Sequence, residues 1–132
     1  MTIKARNRTI VAVGVVAAIA IAATLLPVAT TDLESRREVR LVIRDMTYYL
    51  EGTGEPNPTL QFRRGERIRL ILTNEDAGME HDFVVRSWKL ATEKIDGRGE
   101  DRIDIRVPRR TGTTSYVCSP HAGKMRGNIV VQ

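Results

Sequence analysis

From Val39 to Val131 the apolar residues of this chain recur with a period of two. Val39, Leu41 and Ile43 alternate with Arg40 and Arg44, and Ile68, Leu70 and Leu72 with Arg67 and Arg69. Ile103, Ile105 and Val107 repeat the pattern with Asp104 and Arg106. Successive side chains of a strand point to opposite faces, so this alternation specifies strands with one face in a core and one in water. Turn chemistry separates the runs. Residues 51–58 hold two Gly and two Pro, Arg64-Gly65-Glu66 follows Phe62, and Gly97 and Gly99 interrupt the least patterned stretch, 87–101. Residues 74–80 form a loop before a strand through Phe83 and Val85, and residues 115–118 and 128–131 are the last strands. No amphipathic helical pattern longer than two turns follows Ala29. About seven short strands over about 100 residues predict an all-β fold, a Greek-key β-sandwich spanning residues 39–132.

The first 29 residues are of another kind. Lys4, Arg6 and Arg8 stand without an acid, and residues 10–29 carry no charge. An apolar run of about 20 residues is long enough to cross a bilayer and exceeds the usual core of a cleaved leader. The basic flank stays on the cytoplasmic side, which sends the rest of the chain out. Residues 1–29 are therefore expected to form an N-terminal hydrophobic helix, acting as a membrane anchor or as a cleaved signal peptide. Residues 30–38 are expected to be a linker. The domain would be exported: anchored and facing the periplasm or extracytoplasmic side, or soluble in the periplasm if the leader is cut. A helix apolar on every face needs a larger protein to bury it. No Arg-Arg pair precedes the run, which gives no support for a twin-arginine route.

The net charge of +5 overstates the basicity of the domain. Three of the 21 basic residues lie in the first nine, leaving 18 against 16 acids from Thr30 onward. A nearly balanced domain gives no reason to expect nucleic acid as a partner. One Cys excludes an internal disulfide.

That Cys opens the segment Cys118-Ser119-Pro120-His121-Ala122-Gly123-Lys124-Met125. A thiolate, an imidazole and a thioether share one short turn, and the chain's only other His is His81. Two imidazoles, one thiolate and a weak axial thioether form the ligand set of a blue, type 1 copper site. The expected metal ligands are thus His81, Cys118, His121 and Met125, holding one copper per chain. Zinc gains little from a thioether and favours more Cys, His or carboxylate donors. Met79, two residues before His81, is expected on an apolar rim rather than on the metal. Trp88 is expected to serve packing.

The order His81, then Cys118-x-x-His121-x-x-x-Met125 followed by the terminal strand 126–131, resembles the cupredoxin family of blue copper proteins. Residues 116–121 are most similar to plastocyanins, and residues 73–83 resemble the loop that carries the first His in the family. Two positions depart from the common pattern. Three residues separate His121 from Met125, where plastocyanins usually have four and amicyanins fewer. Asp82 stands where many members have Asn. The resemblance implies a one-electron carrier, a monomer that is not an enzyme. Its partners would be redox proteins such as a c-type cytochrome or a membrane oxidase or reductase. Copper enzymes of related fold need further His ligands, and none remain. The same ligands would also suit a copper carrier or chaperone delivering copper to an exported cuproenzyme. A scaffold sandwich with an accidental Cys would bind no copper at all. Asp82 is expected either to accept hydrogen bonds from Ser119 across the ligand loops, or to face solvent paired with Lys124 or Arg126. Glu75, Asp76, Glu80 and Asp82 form either a cluster steering a basic partner or an ordinary solvated loop.

Overall fold

The computed structural model describes residues 36–132. Its strands are β1 (Arg37–Arg44), β2 (Thr47–Leu50), β3 (Leu60–Phe62), β4 (Arg67–Asn74), β5 (Glu80–His81) and β6 (Val84–Val85). They continue as β7 (Leu90–Ala91), β8 (Ile95–Asp96), β9 (Gly99–Arg106), β10 (Gly112–Val117) and β11 (Arg126–Val131). One sheet has the order β2-β1-β4-β9, a second β3-β11-β10-β6-β7, and β5 and β8 make a separate two-stranded ribbon. The chain changes sheet before and after β3, so β1 lies parallel to β4, and β3 parallel to β11.

The alternation read from the sequence is the burial pattern. Leu41, Ile43, Ile68, Leu70 and Leu72 from the first sheet face Phe62, Tyr116, Ile129 and Val131 from the second, all buried. Apolar side chains interleaved between two sheets define a sandwich. Trp88 packs against this core, its ring 6.5 Å from that of Phe62. Among the described residues no helix is long and apolar enough to cross a membrane. The expected N-terminal helix, and the boundary at residue 29, lie outside the described residues. The chain divides into two units, and the second, Asp32–Gln132, closes its own hydrophobic core.

Several elements escape the alternation. Strands β2, β5, β7 and β8 have four residues or fewer, too short to show a period. Strand β1 starts at Arg37, inside the stretch expected to be linker. Arg37 and Glu38 pair through the backbone with Ile68 and Arg69 while their side chains stay in water, so no apolar residue marks them.

The strand directions give the sandwich two ends. Arg67 lies opposite Arg106 at one, and Asn74 opposite Gly99 at the other. The second end carries the β1–β2 turn, the loop after β4 and the loop between β10 and β11. Beneath it sits an aromatic cluster. Tyr48, Phe83 and Tyr116 are buried, with ring centroids 6.1 Å (Tyr48–Phe83), 5.3 Å (Tyr48–Tyr116) and 4.9 Å (Phe83–Tyr116) apart. The Tyr116 hydroxyl donates to the Pro58 carbonyl at 2.7 Å, and the Tyr48 hydroxyl donates to the Asp82 carbonyl. Burial lifts both phenols above their ordinary range, so they remain donors. Gly127 is the cross-strand partner of Tyr116, and the phenol ring occupies the space its side chain would fill.

Candidate metal centre

Asn74 ends β4 and is almost fully buried, at 1% exposure. The two N–H bonds of its side-chain amide serve three carbonyls, Gly97 at 2.7 Å and Met79 at 2.9 Å, with Ile95 at 3.3 Å sharing one of them. Its Oδ1 accepts the N–H of Asp76 at 3.0 Å. One side chain thereby fixes both the loop after β4 and the ribbon of β5 and β8. A buried amide with its capacity this well satisfied is a rigid anchor. The ribbon delivers His81, which is fully buried.

The other three expected ligands come from one closed loop. The Cys118 N–H donates to the Met125 carbonyl at 3.0 Å, joining the loop's two ends. Within it the His121 N–H donates to Cys118 O at 3.2 Å, and the N–H groups of Lys124 and Met125 both donate to His121 O at 2.9 Å. These helix-like turns bring His121 back over Cys118. Cys118 and Met125 are fully buried in the core, whereas His121 is half-buried.

The donor atoms converge. Cys118 Sγ is 3.6 Å from His81 Nδ1 and 3.6 Å from His121 Nδ1. One ligand atom from each of the three residues lies within 4.8 Å of the others. Nitrogen and sulfur bind a first-row ion such as zinc at about 2.0–2.3 Å, and one bond of each kind opened to about 120° leaves the donors about 3.7–3.8 Å apart. The spacing therefore fits a trigonal ion between the three atoms. Met79, in contrast, is only half-buried.

Asp76 is a part of the site that sequence reasoning misplaced. It was expected among surface acids, yet its side chain is 9% exposed and its Oδ2 lies 3.0 Å from His81 Nε2. The same carboxylate accepts the N–H groups of Asp45 at 2.7 Å and Met46 at 2.9 Å. Both turn residues hold a left-handed backbone, with φ of 50° and 55°. Burial pushes the Asp76 carboxyl up, but those two N–H groups and His81 together hold it below its ordinary value. A carboxylate on Nε2 keeps the proton there and leaves Nδ1 free for the metal. Burial lowers the His81 pKa, with Asp76 opposing, so the imidazole is neutral at pH 7 and ready to bind.

Asp82 is buried too, at 3% exposure, and accepts the Ser119 N–H at 2.6 Å and the Ser119 hydroxyl. The first of the two expectations holds, and the solvent-facing pair with Lys124 or Arg126 does not occur. The steering cluster is corrected accordingly: only Glu75 and Glu80 reach the surface, and they face Arg44 at 3.8 Å and Lys94 at 2.8 Å. A buried carboxylate beside the ligands stabilises the more positive oxidation state. Asp82→Asn keeps the hydrogen-bond geometry and removes the charge. It should raise the reduction potential by tens of millivolts, on the order of 1 kcal/mol. Cyclic voltammetry of both proteins checks this, and equal potentials from about pH 4 to 8 would remove the tuning role.

Burial also pushes the Cys118 thiol up, so the metal-free site holds that proton at neutral pH. Metal binding needs the thiolate. Copper uptake should therefore release the Cys118 proton, and affinity should strengthen as pH rises toward the thiol's pKa. Calorimetric titrations in two buffers of different ionisation enthalpy measure the proton directly. A heat independent of buffer would contradict the assignment.

A β-sandwich holding two imidazoles, a thiolate and a buried Met at one end has the arrangement of a type 1 copper site. The sequence profile of copper-binding proteins of the plastocyanin/azurin family matches residues 59–132. The chain belongs to that family, and copper is its cofactor. No curated protein matches the chain in sequence. Among solved structures it is similar in fold to rusticyanin from Thiobacillus ferrooxidans, with TM-score 0.55 and 21% identity over 72% of this chain and 76% of that one. It is similar to auracyanin A, a "blue" copper protein from Chloroflexus aurantiacus, with TM-score 0.54 and 13% identity over 74% and 99%. The multicopper oxidase McoA from Aquifex aeolicus gives TM-score 0.59 and 16% identity over 73% of this chain but only 26% of the oxidase.

Proposed function

We propose that this chain is a one-electron carrier working outside the cytoplasm, with one copper held by His81, Cys118, His121 and Met125. The observation that carries the reading is the convergence of Cys118 Sγ and the two Nδ1 atoms at 3.6 Å in a rigid pocket. When bound, copper alternates between Cu(II) and Cu(I) at the expense of a single electron. The protein's part is to keep the donors where both states accept them. Asn74, Asp76 and Asp82 hold His81 and the Cys118–Ser119 turn in hydrogen bonds that do not depend on the metal's charge. The buried Met125 closes the inner side of the site, and the half-buried His121, between Pro120 and Ala122, gives electrons the short way out.

Partners on this reading are redox proteins, such as a c-type cytochrome or a membrane oxidase or reductase, that dock over His121. The chain works as a monomer, and the apolar run at 10–29 tethers it to the membrane with the domain outside. The only two His residues are both spent here, which leaves no imidazole for a catalytic copper cluster. Copper delivery is less well suited to the site, because its two sulfur donors, Cys118 and Met125, are both fully buried. The test is to add Cu(II) to the purified metal-free protein. One copper per chain, an intense blue thiolate-to-copper band and reversible one-electron voltammetry are expected. A colourless, loosely bound or redox-silent copper would overturn the proposal.

A further inference from the structure

The near-balance of charge over the whole domain conceals a segregation between its two ends. Residues 36–132 hold 18 basic and 14 acidic side chains. Nine of the basic ones, all Arg, gather at the end away from the copper site, with Glu38, Glu66 and Asp104 for company. Strand register places them there: Arg37 lies opposite Ile68, and Arg67 opposite Arg106. The turn 63–66 is tied to the loop after β9 by the Gly65 N–H, which donates to Val107 O at 3.1 Å and Pro108 O at 3.3 Å. This end carries an excess of six positive charges, and the rest of the domain is slightly acidic.

All three acids are already engaged. Glu66 pairs with Arg37 at 2.6 Å, Glu38 with Arg40 at 2.9 Å, and Asp104 with Arg36 and Arg69, both at 2.9 Å. Arg63, Arg64, Arg67, Arg106, Arg109 and Arg110 are exposed and have no carboxylate within ion-pair distance among the described residues. Asp32 and Glu34, just upstream, would still leave an excess of four. Three of the unpaired side chains, from Arg64, Arg106 and Arg109, line one open depression with Gly65. Like charges crowded without counter-charges repel one another, and guanidinium groups are matched to phosphate in shape and charge.

We propose that this arginine end is a docking surface for the anionic headgroups of a lipid bilayer. The proposal rests on the anchored reading above. The chain enters the domain at this same end, where β1 begins. Seven residues separate the apolar run from Arg37, a tether of at most about 25 Å. A bilayer is thus the anionic surface that the covalent chain keeps within reach of these arginines. Each Arg brought to such a surface adds attraction that salt screens. Docked in this way, the domain would hold its copper end away from the bilayer and free for partners.

The experiment uses copper-loaded residues 32–132, which close their own core, and sedimentation with vesicles. One set is pure phosphatidylcholine; the other contains about 30% phosphatidylglycerol. Binding to the anionic vesicles alone is expected, with release as NaCl rises from about 50 to 300 mM. Arg64→Gln/Arg106→Gln/Arg109→Gln should weaken that binding about tenfold or more while the blue spectrum stays unchanged. Equal binding to both vesicle sets, no binding to either, or a preference that survives the triple variant would overturn the proposal. So would inorganic phosphate binding tightly to a protein that ignores anionic vesicles. Alkaline carbonate extraction of the full chain tests the anchor separately. Release by carbonate would overturn the anchored reading while leaving the vesicle result to decide the surface.

Discussion

Cys118→Ser is expected to give a folded, colourless protein. The intense band of a type 1 site is a charge transfer from the thiolate to Cu(II), and a hydroxyl offers no comparable donor. The substitution is nearly isosteric and lies at the mouth of the core, where the neighbouring Nδ1 atoms of His81 and His121, each 3.6 Å from Sγ, can take up a hydroxyl. A loss of stability of about 1–2 kcal/mol in the metal-free protein is expected, far short of unfolding. Absorption, electron paramagnetic resonance and copper analysis on the same sample read the result. A blue Cys118→Ser protein would remove the central assignment. Met125→Leu gives the contrast. The colour should persist, and the potential should rise by tens of millivolts, because the axial thioether donates weakly to Cu(II) and tunes rather than holds the metal. A potential indifferent to that change would exclude Met125 from the site.

Gly127→Ala should be the most destabilising single-methyl change in the domain. Gly127 sits directly across from Tyr116 on β10, and a Cβ there would overlap the Tyr116 Cε1, Cζ and Oη atoms. The ring has little room to retreat. It stacks on Phe83 at 4.9 Å, meets Tyr48 edge-on at 5.3 Å and is pinned through its hydroxyl to Pro58. Overpacking of a fixed core costs about 1–3 kcal/mol, and a broken buried hydrogen bond adds to it. We expect a loss of about 3 kcal/mol or more by denaturant titration. Copper retention should fall as well, since Met125 lies two residues away, just before the same strand. A melting curve unchanged within error would show that the sheet yields at this point. Gly127→Ala combined with Tyr116→Phe should recover only part of the loss, because it removes the overlapping hydroxyl but leaves Cζ and Cε1 in the same space.

The candidate ligand set was legible because the combination of its chemistries is rare. With two His and one Cys in the chain, the donors could be found by exhaustion. The sandwich was legible wherever a strand was long enough to alternate, as in β1 and β4. It was illegible in β5 and β8, whose two residues each carry no period, although β5 delivers His81. Asp76 looked like a surface acid, because neighbouring charges in a sequence suggest a solvated loop. Its burial follows from contacts with Asn74, Asp45, Met46 and His81 that only the folded chain creates. The terminal polarity of charge was equally hidden, since β1, β4 and β9 bring arginines 30 to 70 positions apart to one end. The only local hint was Asn74, a polar side chain closing an apolar run just where a ligand loop begins.

Cys118 and His81 lie 37 positions apart in the chain and 3.6 Å apart in space. An ion bonded to both closes a covalent circuit around that segment, as a disulfide would in a chain with two cysteines. By the usual loop-entropy relation, a crosslink closing such a circuit disfavours the unfolded chain by about 4 kcal/mol. The segment enclosed includes β6 to β10 in full. Chelation should therefore do more than bleach the protein: it should open this stretch to proteolysis and amide exchange, while the β1–β4 pair outside the circuit keeps its protection. The metal would then act as a removable staple, and the age of a molecule in the cell would depend on how long it has carried its ion.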